Sequence, residues 1–234
     1  MEILNSTFLI TGGSAGIGKA AAKLIVEKGG KVAITGRDEK RLNDTAKKIG
    51  AYPIHADVAN EKDVEKTYDL FLKEFKKLDC LVNNAGIGGE WQEVWDLTLE
   101  DFHNVFSVNV FGAAMMAKKA AELFKKQKYG NIVNISSTAG VKGFQNGTVY
   151  ASSKFALRGM TECWRTELRK YNVRVILINP SEVLTAFGED DRKEKPEAAN
   201  KLRGIEIAHT IVSTLEMDDR GFIPEVTIWA TNPF

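Results

Sequence analysis

The chain has 234 residues, is 44% hydrophobic and 27% charged, and carries a net charge of +1. That balance describes one large globular domain or two small ones and gives no basis for nucleic acid or an anionic membrane as partner. No apolar run is long enough to span a bilayer, "MEILNSTFLI" lacks the basic start of a signal peptide, and Cys80 and Cys163 fit neither a metal site nor a disulfide framework, so a cytoplasmic protein is predicted.

The first strand candidate is "TFLIT", 7–11, and it runs into "TGGSAGIGKA" and a helix over 16–28. This glycine turn nearly fits two designs. From Gly13 it is a P-loop up to Lys19, but the next residue is Ala20, which has no hydroxyl for magnesium. From Gly12 it is a spaced dinucleotide turn, with Gly12, Gly16 and Gly18 allowing the bend, close approach and helix packing. A merely tight strand-to-helix turn is the plain alternative.

Next come a strand "KVAIT" (31–35), a helix over 38–48, a strand "YPIHA" (52–56) and a helix over 60–77. The strand "DCLVNN" (79–84) ends in "NNAG", 83–86, and a long helical pattern over 98–126 contains Asn109 among Val105, Phe106, Val108 and Val110. Asn is a mediocre helix former, and an apolar setting argues that it has a role there. Trp91 and Trp95 stand at helical spacing and read as packing residues. The strand "NIVNIS" (131–136) delivers Ser136 and Ser137 to its carboxyl end, where open α/β sheets build their sites.

A helix over 148–170 opens on "YASSK", which places Tyr150 and Lys154 on one face. A free tyrosine has a pKa of about 10. A nearby ammonium favours the phenolate, so the pair is a candidate general acid/base unit; a surface Tyr and Lys at helical spacing is the alternative. The strand "VRVILIN" (173–179) is followed by a charged stretch, a helix over 204–216 and a last strand, "EVTIW" (225–229). The strands are nearly continuous in apolar character, as strands covered on both faces should be. The alternation argues for a parallel sheet with helices on both faces.

"TGGSAGIG", "ADV" at 56–58, "NNAG", Asn109, "ISS", "YASSK" and "NPSEVLT" at 179–185, in that order, resemble the short-chain dehydrogenase/reductase family. The resemblance covers essentially the whole chain. It implies a single Rossmann-like catalytic domain, 1–234, with a doubly wound seven-stranded parallel sheet. Tyr150 would be the proton donor, Lys154 would lower its pKa and hold the nicotinamide ribose, and Ser137 would bind the carbonyl oxygen. Asn109 would hold a water that links Lys154 to solvent. Gly12, Ser14, Gly16, Ile17 and Gly18 would hold the pyrophosphate, Asp57 and Val58 the adenine. Asn84, Ala85 and Gly86 would line the cofactor, with Pro180, Val183 and Thr185 at the carboxamide. The chain departs from the family's usual Pro-Gly at Pro180-Ser181 and adds Glu182 beside it.

Asp38 lies at the count expected of a ribose-binding acid in an NAD site, but it starts a helix and suits an N-cap. Gly36 leaves room for a 2′-phosphate and Arg37 can fork onto one, so NADP(H) is expected over NAD(H). The activity implied is reversible reduction of a ketone or aldehyde, a small-molecule carbonyl or alcohol being the partner. The substrate wall is drawn from 87–91, 141–146 and 183–187, with Phe144 and Phe187 supplying apolar surface. Lys142, Glu90 and Glu182 could add polar selectivity. The charged stretch 188–201 reads as a solvated surface loop or helix, or, as part of 188–203, as a short polar lid over the site. Phe102, Met116, Phe155 and Trp164 on the two long helices predict a homodimer, with a homotetramer as the alternative. The rival functions are a silent NADP-binding regulatory protein, an NAD-dependent alcohol dehydrogenase and a P-loop triphosphatase.

Overall fold

Four buried residues, Thr7–Ile10, form β1, whose side chains alternate between two cores: Phe8 and Ile10 face one, Leu9 the other. The computed structural model describes residues 1–188, 196 and 198–233. Most of the polar segment expected as a lid, namely 189–195 and 197, lies outside the described residues.

From β1 the chain passes through α1 (Gly16–Glu27), β2 (Lys31–Gly36), α2 (Glu39–Ile49), β3 (Tyr52–His55), α3 (Glu61–Phe75) and β4 (Cys80–Asn83). It continues through α4 (Leu99–Phe106), α5 (Ala113–Gln127), β5 (Gly130–Ile135), α6 (Thr148–Leu168) and β6 (Val173–Pro180). Two short strands, β7 (Val183–Leu184) and β8 (Leu202–Arg203), pair with each other, and α7 (Gly204–Leu215) and β9 (Glu225–Ile228) complete the chain. The seven-stranded sheet has the order β3-β2-β1-β4-β5-β6-β9, with every pairing parallel. Both faces are covered: Ala22, Ile25 and Ile207 from α1 and α7 pack on one, and Phe71, Met116 and Phe124 from α3 and α5 on the other.

This order fixes the place of the site. Winding runs outward in one direction from β1 to β3 and in the other from β4 to β9. The crevice opens between β1 and β4, outside the carboxyl ends of the strands, where ligands bind in such sheets. The helix starts follow the sequence. Asp38 caps α2 by accepting from the Arg41 amide at 2.9 Å, and Thr98 and Asp101 form a reciprocal capping box on α4.

The helix expected over 98–126 is not one α-helix. Between α4 and α5 it widens into a π-helical turn, Ser107–Gly112. Val108, Asn109 and Val110 are all buried there, and a wider turn faces three successive side chains inward where a regular turn would not. Met116 is buried in the core, at 1% exposure, and contributes nothing to an outer surface. Phe155, 44% exposed, and Phe111, 56% exposed, are large apolar residues that this part of the chain leaves outside.

Candidate active site

The glycine turn closes on the strand beside it. Gly12 and Gly16 hold φ of 64° and 54°, which side chains rarely adopt. The Asn84 Nδ2 donates to the carbonyls of Thr11 and Gly12, at 2.9 and 3.1 Å. The Thr11 hydroxyl accepts from the amides of Asn84 and Ala85, both at 3.0 Å. "TGG" and "NNAG" are thus one hydrogen-bonded unit. Asn84 therefore braces the turn as well as lining the cleft.

Gly18 lies beneath this unit and does not face the cleft, a correction to its expected place among the cofactor contacts. A Cβ there would stand 2.5 Å from both the Asn84 Nδ2 and the Gly12 carbonyl oxygen. Gly18→Ala is expected to cost about 1–3 kcal/mol. Calorimetry should show a melting temperature lowered by about 2–10 °C; an unchanged melt would refute this packing role.

No side chain caps α1 and no acid lies in its first turn, so its amino end is unshielded toward an anion. Further along the cleft, Thr35 and Arg41 line the wall, and the Thr35 hydroxyl and the Arg41 Nε are buried with no hydrogen-bond partner. Gly36 sits close to Ser14, since a Cβ on it would be 3.1 Å from the serine hydroxyl. Arg37 reaches Asp57 only at 3.8 Å and stays largely exposed. Bare helix amides, paired strained glycines and two orphaned polar atoms fit a nucleotide with phosphates. Asp38 is engaged as the cap of α2, as its position suggested. Arg41 is a wall residue that the sequence motifs do not single out. Its one signal is a basic residue in the first turn of α2, against the helix dipole.

The other end of the cleft holds the reactive groups. Tyr150 and Lys154 rise from the first turns of α6. Ser137 stands beside the Tyr150 phenol, and its Oγ accepts from the Ala139 amide at 3.1 Å. Ser136 is buried and turned toward the backbone of α6, with its Oγ 3.5 Å from the Lys154 carbonyl. The Lys154 Nζ donates to the Ile135 carbonyl at 3.0 Å and stands 5.7 Å from the centre of the Tyr150 ring.

Burial pushes the Tyr150 phenol up to about 12, a rise partly offset by the neighbouring Ser137 side chain. Burial brings the Lys154 ammonium down to about 8. The sequence expects the ammonium to draw the phenol down. In the structure, removing the phenolate from water raises it instead, and the one opposing influence is Ser137.

Asn109 does not line the cleft. Its Oδ1 accepts from the Ile87 amide at 2.9 Å, and its Nδ2 donates to the Ile87 carbonyl at 2.9 Å and to Ser153 at 3.0 Å. The side chain clamps the start of the loop after β4 from behind. Gly86 makes room for this, as a Cβ there would be 3.2 Å from the Asn109 Oδ1 and 3.6 Å from the Lys154 Nζ.

Around Tyr150 the walls are aromatic. Trp91 approaches it edge-on with centroids 5.7 Å apart, and Phe187 lies at 5.7 Å on a tilt. Phe144 packs on Trp91 at 5.6 Å. Trp91 and Trp95 precede α4 and lie on no helix, so their helical spacing is coincidental. Trp91 joins the cleft wall, whereas Trp95 is 75% exposed. Lys142 lines the wall, Glu90 stays outside it, and Glu182 is paired with Lys201 at 2.7 Å.

The remaining expected residues, Ser14, Ile17, Asp57, Val58, Ala85, Pro180, Val183 and Thr185, line the same cleft of about 950 Å³. Thr185 is held against Gly16, and its hydroxyl accepts from the Phe187 amide at 3.3 Å.

A family model described as short chain dehydrogenase matches residues 6–196. Xanthoxin dehydrogenase of Arabidopsis thaliana is 32% identical over 247 residues, covering 95% of this chain and 87% of its own. The crystal structure of a 3-ketoacyl-(acyl-carrier-protein) reductase from Brucella melitensis, complexed with NADH, superposes with a TM-score of 0.89. It has 26% identity and covers 99% of this chain and 100% of that one. An alcohol dehydrogenase from the archaeon Thermococcus sibiricus, complexed with 5-hydroxy-NADP, gives 0.86 at 26% identity, covering 97% of each chain. With its seven-stranded parallel sheet, uncapped glycine turn and motifs gathered around one cleft, the chain belongs to the short-chain dehydrogenase/reductase family and is an NAD(P)-dependent oxidoreductase of alcohols and carbonyls.

Proposed function

We propose that this protein reduces a ketone or aldehyde to an alcohol and does so with NADPH. The observation that carries this reading is a partly buried phenol with Ser137 beside it and the buried Lys154 ammonium 5.7 Å from its ring centre. With its pKa pushed up to about 12, Tyr150 stays protonated at neutral pH and is ready to donate to a carbonyl oxygen. Ser137 holds that oxygen beside the phenol and steadies the charge that develops on it. Lys154 positions the ribose and restores the proton, through a relay that ends at a water held near Asn109. A bound nicotinamide supplies the hydride. Gly12, Ser14, Gly16 and Ile17 cradle the pyrophosphate, Asp57 and Val58 the adenine, and Gly86, Pro180, Val183 and Thr185 the nicotinamide end.

Arg37 and Arg41, with Gly36 leaving space, support a 2′-phosphate. The exposed Arg37–Asp57 contact is weak, so turning the guanidinium toward a phosphate costs little. Dissociation constants for NADPH and NADH test this. Arg37→Ala combined with Arg41→Ala should raise the constant for NADPH about tenfold or more and leave NADH nearly unchanged. A preference for NADH that survives both substitutions would overturn the NADPH assignment.

The activity itself is tested by a carbonyl panel followed through NADPH absorbance. Cofactor binding without turnover of any carbonyl would favour a silent regulatory protein. We further infer a cytoplasmic homodimer, supported by the exposed Phe111 and Phe155 on the long helical segments. Among the described residues no helix is long and apolar enough to cross a membrane. Light scattering should return about twice the 25.9 kDa chain mass; a monomer at micromolar concentration would refute the dimer.

A further inference from the structure

We infer that the substrate is a ketone whose carbonyl is part of, or attached to, a flat or compact ring, and that Trp91 is the residue that selects it. The inference rests on the carbonyl-reductase reading above and adds its substrate class.

Two aromatic side chains flank the phenol ring and a third packs behind one of them, each from a separate segment. Trp91 comes from the loop after β4, Phe144 from the connection between β5 and α6, and Phe187 from the segment after β7. Trp91 links the group, since its ring contacts both Phe144 and Tyr150. Trp91 and Phe187 also both close on Gly88, where a Cβ would meet each at 3.3 Å. A side chain at position 88 would prise the two rings apart. The glycine lets them stand together over the phenol.

The rings are not fully packed away. Trp91 is 49% exposed and Phe144 50% exposed, on the cleft side of a site that must exclude water to work. A substrate that covers them completes the wall. Edge and tilted arrangements at these distances are the geometry in which aromatic groups attract one another, so a ring of similar size fits as a further member. The nearby carboxylate, Glu182, is already neutralised by Lys201, so it does not call for a cationic substrate.

The test compares α-tetralone with a linear methyl ketone of equal carbon number, in the presence of NADPH and separately of NADH. The expected kcat/KM for α-tetralone is at least tenfold the higher. Trp91→Ala should lower the α-tetralone value at least tenfold and the linear one by less, so that the ratio collapses. In the wild type, α-tetralone should also quench tryptophan emission saturably, and Trp91→Phe should remove that quench while keeping most of the ring preference. A preference for the linear ketone, or equal losses on both substrates in Trp91→Ala, overturns the inference. Absent turnover with either cofactor but a saturable Trp91 quench would keep the ring site and overturn the reductase reading. Absent quench would overturn the ring site itself.

Discussion

Tyr150→Phe is expected to lower carbonyl reduction by about 10²–10⁴-fold while leaving cofactor affinity within a factor of about two. In the proposed reaction the phenol is the acid, beside the Ser137 side chain, and burial keeps it protonated up to about pH 12. Phenylalanine keeps the ring that Trp91 and Phe187 pack against and removes only the hydroxyl. The fold should therefore survive, and the residual rate should come from positioning alone. Single-turnover rates with pre-bound cofactor would isolate the step. A variant that reduces its carbonyl at the normal rate would remove Tyr150 from the chemistry.

The second large effect belongs to Lys154, and it pairs a loss with a gain. Burial holds its ammonium at about 8, well below the usual 10.5 of a lysine. The charge is therefore carried below about pH 8 and lost above it. Reduction should fall as pH rises through that value, because the neutral amine no longer draws on the ribose and the phenol. Lys154→Met should reduce turnover by about 10²-fold or more and flatten that part of the profile. The sign for stability is opposite. A basic group whose pKa is lowered by folding destabilises the fold while it is charged, and relief comes as pH rises from about 8 toward 10.5. At neutral pH the shift corresponds to about 3 kcal/mol, partly offset by the lost bond to the Ile135 carbonyl. Lys154→Met should thus melt at a higher temperature than the wild type at pH 7. Equal melting temperatures, or an unbroken pH profile in the wild type, would contradict this account.

The strands are legible in the sequence because both faces of the sheet are covered. Apolar runs such as "VRVILIN" have few other readings, and β6 buries every residue from Val173 to Pro180. The Tyr150–Lys154 pair is legible because the two share a helix face, and local periodicity carries across one turn. Contacts made across the fold are not legible. Nothing local to Asn84 says that it binds the carbonyls of Thr11 and Gly12, since that meeting depends on β1 and β4 being neighbours. Trp91 misleads for the same reason: its spacing to Trp95 imitates a helix, and its true neighbours, Phe144 and Tyr150, lie far along the chain. The π turn at Ser107–Gly112 replaces a regular helix, which the apolar pattern around Asn109 signals only as unusual density. The pKa of Tyr150 is hidden because sequence shows the nearby charge and not the burial.

The Asn109 clamp has a bearing on how this protein can change. The amide grips the N–H and carbonyl of Ile87 and makes no demand on that residue's side chain. At the far end of the same loop, the Thr98–Asp101 box fixes the start of α4, again from outside the intervening stretch. The residues from Gly88 to Leu97 are therefore held at both ends by contacts outside the stretch, and within it Gly88 and Gly89 are fixed as glycines, by Trp91 and Phe187 and by Val105 of α4. Substitution elsewhere in that stretch can redraw the wall around the cleft while Tyr150 and Lys154 on α6 keep their register. Loop exchange across that interval is accordingly the natural route to retarget the enzyme, and divergence between its relatives should concentrate in the same interval.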